Sequence, residues 1–264
     1  MEEKELLKLE KENNKLNKLN DKAENKRIKE NNKALIKEEK RPIKEKKKNY
    51  YRSLNEPPKR NTIEEIGNAV THGIGALLAI AGAILLLLKS DTGLKITASI
   101  VYGFAMFFMM LMSCLYHSFK SGSVVKRIWR RFDYTSIYLL IGGTFAPIYL
   151  VYYGNTFGIV MFIIQWVLIA TGVTFVCIFG PGRIKWLHFT LYFAIGWSGL
   201  IFIPEFIKNN LPLLIMILSG GLVYTFGMIP FAVLRQKSGA HFLWHFFVLA
   251  GAIVQFIGIL LFIY

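Results

Sequence analysis

The sequence predicts an all-α integral membrane protein, a seven-transmembrane helix bundle with a charged N-terminal extension. Three observations predict it. The chain is 53% hydrophobic yet carries a net charge of +15, two properties that oppose each other in soluble domains. Its charge is segregated: residues 1–60 hold 20 of the 32 basic and 12 of the 17 acidic residues, leaving only Glu64, Glu65, Asp91, Asp133 and Glu205 as acids beyond them. Apolar stretches near the ~20 residues needed to cross hydrocarbon then recur to the end of the chain.

Taken in order, the extension (1–60) is rich in Lys, Glu, Asn and Leu. Leu6, Leu7, Leu9, Leu16, Leu19, Ile28, Leu35 and Ile36 only loosely approximate a heptad stripe. A solvated, disordered or partly helical tail is the plain reading; a weak coiled coil or a helix drawn to anionic lipid are the others. Its polarity leaves no room for the apolar core of a cleavable signal peptide, so the first apolar segment is expected to act as an uncleaved anchor. Pro57 and Pro58 mark a break before the membrane domain, 61–264. The apolar segments are 66–88, 96–117, 134–152, 157–179, 186–203, 211–234 and 242–264, joined mostly by short links that force an up-and-down arrangement. Pro147 and Pro230 are expected to kink their helices, and Gly67, Gly73, Gly75, Gly142, Gly143, Gly196 and Gly199 to allow close helix approach. Cys114 and Cys177 are the only cysteines, too few for a disulfide framework.

Orientation follows from the basic residues. With the extension inside, the internal links carry Lys120, Lys126, Arg127, Arg130, Arg131, Arg183, Lys185, Arg235 and Lys237, against Lys89, Lys95 and Lys208 outside. This bias predicts a cytoplasmic N-terminus and an external C-terminus.

The topology places the chemistry-bearing residues. His117 ends the second segment, Asp133 opens the third, and His241 and His245 open the seventh, all at the cytoplasmic edge. His241 and His245 share a helix face at i,i+4, and Ser113 and His117 repeat that spacing. Three neutral imidazoles suit a zinc ion and leave a fourth position for water, whose pKa the ion can lower to about 7. Asp133 is expected to take or orient that water's proton, with Ser113 bonding the same oxygen. A lone boundary histidine is commonly an interfacial or packing residue, and an H-x3-H pair alone is a weak signal. It is the pair with His117 and Asp133 that points to a metal. Cys114 is a further candidate ligand. His188 is read as interfacial or supporting, and His72, about 9 Å inside its helix, as a packing anchor hydrogen-bonded with Asn68. The run Lys126, Arg127, Trp129, Arg130 and Arg131 is either a topology signal or a binder of anionic lipid head groups. Nucleic acid is not an expected partner, since no recognition motif is present. The seventh segment has no lysine for a retinal Schiff base.

The stretches EEIGNAVTHGIGALLAI, SCLYHS, RRFDYTSIYLLIGGTFAPIYL and HFLWHFFVLAGAIVQF together resemble the hemolysin III proteins, a branch of the progestin and adiponectin receptor family of seven-helix membrane proteins. The resemblance spans about 61–264 and excludes the extension. It implies a zinc site at His117, His241 and His245, with Ser113 and Asp133 supporting the bound water, in a multi-pass protein of the bacterial plasma membrane. The metal motif is also similar to that of membrane ceramidases, which implies hydrolysis of an amide-linked membrane lipid. The alternatives are a non-enzymatic regulator of membrane state with structural zinc, and a lytic pore. Few charges lie within the spans to line an ion path.

Overall fold

The computed structural model describes residues 2–234 and 237–264. Arg235, counted above among the internal basic residues, and the Leu6 side chain of the extension lie outside what is described. The chain forms two compact units, Met1–Leu54 and Asn55–Tyr264. The first is a single helix, α1 (Glu2–Leu54), continuous through Pro42. Its apolar side chains from Leu7 to Ile43 are exposed.

The second unit contains, among the described residues, seven helical spans long and apolar enough to cross a membrane. They are α2 (Thr62–Leu88), α3 (Gly93–Ser118), α4 (Val124–Pro147, extended to Tyr153), α5 (Thr156–Phe179), α6 (Lys185–Gly196) running on into α7 (Ile203–Asn209), α8 (Leu211–Met228, extended to Val233) and α9 (Ala240–Phe262). Five begin at a side-chain cap: Asn61, Thr92, Ser123, Asn155 and Asn210 each accept a hydrogen bond from the backbone N–H three residues on. Such caps satisfy donors that a helix start otherwise leaves unpaired. The Asp91 carboxylate, 3.0 Å from Lys95 Nζ in the α2–α3 link, is held below the usual carboxylate range by that hydrogen bond.

The structure adds to the sequence reading in three places. The basic run expected to lie in a link is the first turns of α4, because Ser123 caps the helix at Val124 and Lys126 and Arg130, one turn apart, face inward. The second compact unit takes in Asn55, and residues 55–61, placed by the sequence in the extension, bind the bundle. At the two prolines expected to kink their helices the turns widen locally: π-helical turns follow Pro147 (Ile148–Tyr153) and enclose Pro230 (Ile229–Val233). A proline cannot donate to the preceding turn, and a π turn re-pairs the freed carbonyls. Gly154, at φ +57°, ends the first of these in a left-handed conformation suited to glycine.

The helices close into a ring in which α2 packs against both α3 and α9, and α3 against α4. The largest core unites α2, α3 and α9 around Ala76, Tyr102, Met106, Met110, Val248 and Ala252. Two smaller cores lie between α4, α7 and α8, around Tyr149, Phe202 and Phe206, and between α4, α5 and α6, around Tyr138, Ile169 and Tyr192. Outward faces expose large apolar residues such as Leu77, Phe104, Ile163, Ile215 and Phe246, as a lipid-facing surface requires.

Small residues set the α3–α4 spacing. A Cβ on Gly143 would overlap Ala105 Cβ and lie 3.3 Å from the Val101 carbonyl. Gly143→Val is therefore expected to destabilise the bundle by about 1–3 kcal/mol, read as a lowered unfolding midpoint in mild detergent. Gly196 differs from the packing role expected for it, since open space surrounds it. Gly196→Ala serves as the neutral control.

Candidate metal centre

The contact of α2 with α9 brings together helix ends that are far apart in sequence. His117, the penultimate residue of α3, meets His241 and His245 from the first turns of α9; all three are buried, at 3%, 9% and 1% exposure. One nitrogen from each lies within 4.8 Å of the others. His117 Nε2 stands 3.2 Å from His241 Nε2, and the His245 ring centroid lies 4.8 Å and 4.9 Å from those of His117 and His241.

The hydrogen bonding fixes the state of His117. Its Nδ1 lies 2.6 Å from Glu65 Oε2, so Nδ1 carries the proton and donates it to the carboxylate, leaving a lone pair on Nε2. That lone pair faces His241. Two imidazole nitrogens bound to one tetrahedral zinc at ~2.1 Å would be about 3.4 Å apart, close to the spacing seen. The donor set fits a divalent ion with a nitrogen preference, and a carboxylate behind a ligating histidine is the usual supporting arrangement.

Glu65 was not singled out in the sequence, yet it organises the site. It sits in the first turn of α2 and ion-pairs with Lys126 Nζ at 2.9 Å. Lys126 is fully buried; it donates to the Phe119 carbonyl at 3.0 Å and lies 5.0 Å from the Tyr116 ring centroid. Asn68 Nδ2, one turn beyond Glu65, lies 3.4 Å from His117 Nδ1. The available signal is the spacing Glu65, Asn68, His72, which puts three polar residues on one buried face of α2.

The other candidates distribute as follows. The Asp133 carboxylate lies in electrostatic reach of the Ser113 hydroxyl and of Arg60, Arg130 and Lys126. Asp133 is not part of the three-histidine group. Cys114 is outside that group too, its Sγ lying near Gly73 of α2. His188, in the first turn of α6 as expected, is fully buried and bonds the Tyr138 hydroxyl of α4 at 3.0 Å through Nδ1. His72 is not bonded to Asn68 as expected. Its ring stacks on His245 at 3.9 Å, and neither of its nitrogens has a hydrogen-bond partner among the described residues.

Each side chain of the basic run engages the protein. Besides Lys126, Arg127 pairs with Glu56 at 2.5 Å, Arg130 donates to the Asn55 and Glu56 carbonyls at 3.0 and 3.1 Å, and Arg131 donates to the Cys177 carbonyl. Asn55 in turn bonds the Phe179 carbonyl and the Gly182 N–H, while Asn61 donates to Ser238. Residues 55–61 thus form a strap tied to α4, to the α5–α6 link and to the α8–α9 link. Arg60, carried by the strap, lies in electrostatic reach of His117, His241, His245 and Asp133.

Comparison with known proteins agrees with this architecture. The family profile described as Haemolysin-III related matches residues 60–256. The chain is 34% identical over 204 residues to "Hemolysin-3" of Bacillus cereus, covering 76% of this chain and 92% of that protein. It is 32% identical over 201 residues to "Hemolysin-3 homolog" of Bacillus subtilis (strain 168), covering 75% and 93%. A human protein, "Monocyte to macrophage differentiation factor", is 28% identical over 222 residues, covering 82% and 91%. The matched region covers six of the seven spans in full, most of the seventh and all three clustered histidines, and the chain belongs to the haemolysin-III related family.

Proposed function

We propose that this protein is a zinc-dependent hydrolase that cleaves an amide or ester bond of a membrane lipid, with its metal centre at the cytoplasmic leaflet of the plasma membrane. The observation that carries the reading is the convergence of three imidazole donors near one end of an apolar cavity, with Ser113 one turn before His117 on α3 and Asp133 on the adjoining α4. That cavity runs between α4, α6, α8 and α9, lined along α9 from Trp244 to Gln255, about 16 Å at the rise of a helix. Phe231 lines it and its ring centroid lies 5.7 Å from that of His241, so a single aromatic ring stands between the cavity and the histidines. The preponderance of lysine and arginine at this end favours the cytoplasmic side.

His117, His241 and His245 would hold the ion, and three protein ligands leave one tetrahedral position for water or substrate. A divalent cation there supplies Lewis acidity, polarising an acyl carbonyl and acidifying water. The chain's own residues do the remainder. Glu65 keeps the His117 lone pair turned inward. The Asp133 carboxylate accepts a proton, oriented by the Ser113 hydroxyl, and passes it to the leaving amine or alcohol. The apolar walls bind the acyl chain and keep bulk water from the reacting bond.

Asp133→Asn tests this. Purified wild-type protein incubated with a panel of N-acyl and O-acyl lipids is expected to release fatty acid, detected by mass spectrometry. The variant is expected to bind the same metal equivalent and lose at least 100-fold in rate, the typical contribution of a general base. Wild-type protein that binds zinc and releases no fatty acid from any lipid of the panel would overturn the enzyme reading. The position of Asp133 outside the histidine group favours one second reading, a membrane regulator in which the metal is structural. That reading expects Asp133→Asn to change neither metal content nor cellular phenotype.

A further inference from the structure

Two long polar side chains enter the apolar cavity from facing helices, far from the histidines, and the hydrolytic chemistry above does not use them. Tyr224 of α8 and Gln255 of α9 both line it. Each is seated over a glycine of the opposite helix: a Cβ on Gly251 would lie 2.9 Å from the Tyr224 ring, and one on Gly220 would overlap Gln255 Cγ. Gly220 and Tyr224 are one turn apart on α8, as are Gly251 and Gln255 on α9, so the exchange is reciprocal. The close approach fixes both side chains at one depth and leaves them little freedom to turn elsewhere.

At that depth the polar groups lack partners. The Tyr224 hydroxyl is buried with no hydrogen-bond partner among the described residues. The Tyr102 hydroxyl, nearby on α3 and close to those of Tyr224 and Thr144, likewise has none. Thr144, also lining the cavity, gives its proton to the Leu140 carbonyl 2.8 Å away, which leaves its oxygen as an acceptor. An unpaired hydroxyl inside a bilayer costs of order a few kcal/mol, so such a cluster is costly unless something enters the cavity to pair with it.

We propose that Tyr224 and Gln255 form a polar subsite within the cavity that selects a lipid chain bearing a hydroxyl group partway along its length. Gln255 lies ten residues beyond His245 on α9, about 15 Å, roughly eleven bonds of an extended acyl chain measured from a carboxyl or acyl carbon at the metal centre. The favoured ligand is thus a long acyl chain hydroxylated near carbon 12. Both hydroxyl and amide can donate and accept, which suits a hydroxyl ligand better than a group that only accepts. A plain chain would pass the subsite with its polar atoms unpaired and bind less tightly for that reason. The inference rests on the lipid reading above and names the substrate class for it.

The test is competitive binding to the full-length, metal-loaded protein in detergent, with tritiated octadecanoate as tracer and 12-hydroxyoctadecanoate, 2-hydroxyoctadecanoate and octadecanoate as competitors. The 12-hydroxy acid is expected to bind about 3- to 10-fold more tightly than octadecanoate, the worth of one net hydrogen bond, and the 2-hydroxy acid no more tightly than octadecanoate. Tyr224→Phe and Gln255→Leu are each expected to remove part of that preference, read as the ratio of the two affinities, and together all of it, with bound metal unchanged. Tyr224→Phe deletes a single oxygen and decides the matter if Gln255→Leu does not fold. Equal binding of the three acids, or a preference that survives Tyr224→Phe intact, overturns the subsite and leaves the lipid reading standing. If no acid binds at all, both fall.

Discussion

Exchanging Glu65 for alanine is expected to cost the protein about 3–5 kcal/mol of stability, because it strands a fully buried lysine without its counter-ion. The same change removes the acceptor of the His117 Nδ1 proton, and with it the restraint that turns Nε2 toward His241. Metal affinity is expected to fall about 10- to 100-fold, the usual consequence of losing the group behind a ligating histidine. The two effects separate in a double variant. Glu65→Leu with Lys126→Met removes both charges and is expected to recover most of the stability, since buried ion pairs are commonly replaceable by apolar residues of similar size. It is not expected to recover metal affinity. Unfolding midpoints in detergent give the first quantity and titration with a zinc-buffered chelator the second. A double variant that binds metal as tightly as the unaltered protein would show that Glu65 supports Lys126 alone and has no bearing on the site.

His245→Ala is expected to abolish stoichiometric metal binding. The ring lies within ligand distance of both other histidines and stacks on His72 on its far side. Its loss leaves two donors, too few for a closed site. The expected fall in affinity exceeds the roughly 100-fold ceiling for supporting residues. Elemental analysis should find about one metal ion per chain in the unaltered protein and less than a tenth of that in the variant. Cys114→Ala and His188→Ala are the matching controls, since neither residue belongs to the histidine group. Retention of metal in His245→Ala, with loss in Cys114→Ala, would move the site to a different donor set.

Much of this architecture was legible in the sequence, for reasons visible in single residues. Seven apolar runs show plainly because lipid tolerates few charges, and the spacing of His241 and His245 needs only helix geometry. Placing His117 beside them needed only the count of spans. The chemistry behind the histidines was not legible. Glu65 and Lys126 are 61 positions apart and near helix ends, where charge ordinarily means an anchor at the interface rather than a buried pair. The inward turn of α4 was hidden for the same reason: Lys126, Arg127, Arg130 and Arg131 look like a loop until Ser123 is seen capping a helix beneath them. His72 looked like a hydrogen-bonding anchor because Asn68 lies one turn away, but its ring stacks on His245 instead and neither nitrogen has a partner among the described residues. Which of two neighbours a side chain chooses is settled by packing across helices, and periodicity along one helix carries no record of it.

The strap gives the core a natural starting point that its hydropathy conceals. Asn55 alone bridges Phe179 and Gly182, and its carbonyl receives Arg130. A fragment trimmed back to the first apolar residue would discard these ties along with Arg60, leaving the buried Arg130 of α4 without its carbonyl acceptors. A fragment opening at Asn55 would keep every one of them. A cut at the edge of the greasy segment severs the strap; one that leaves Asn55 onward intact does not.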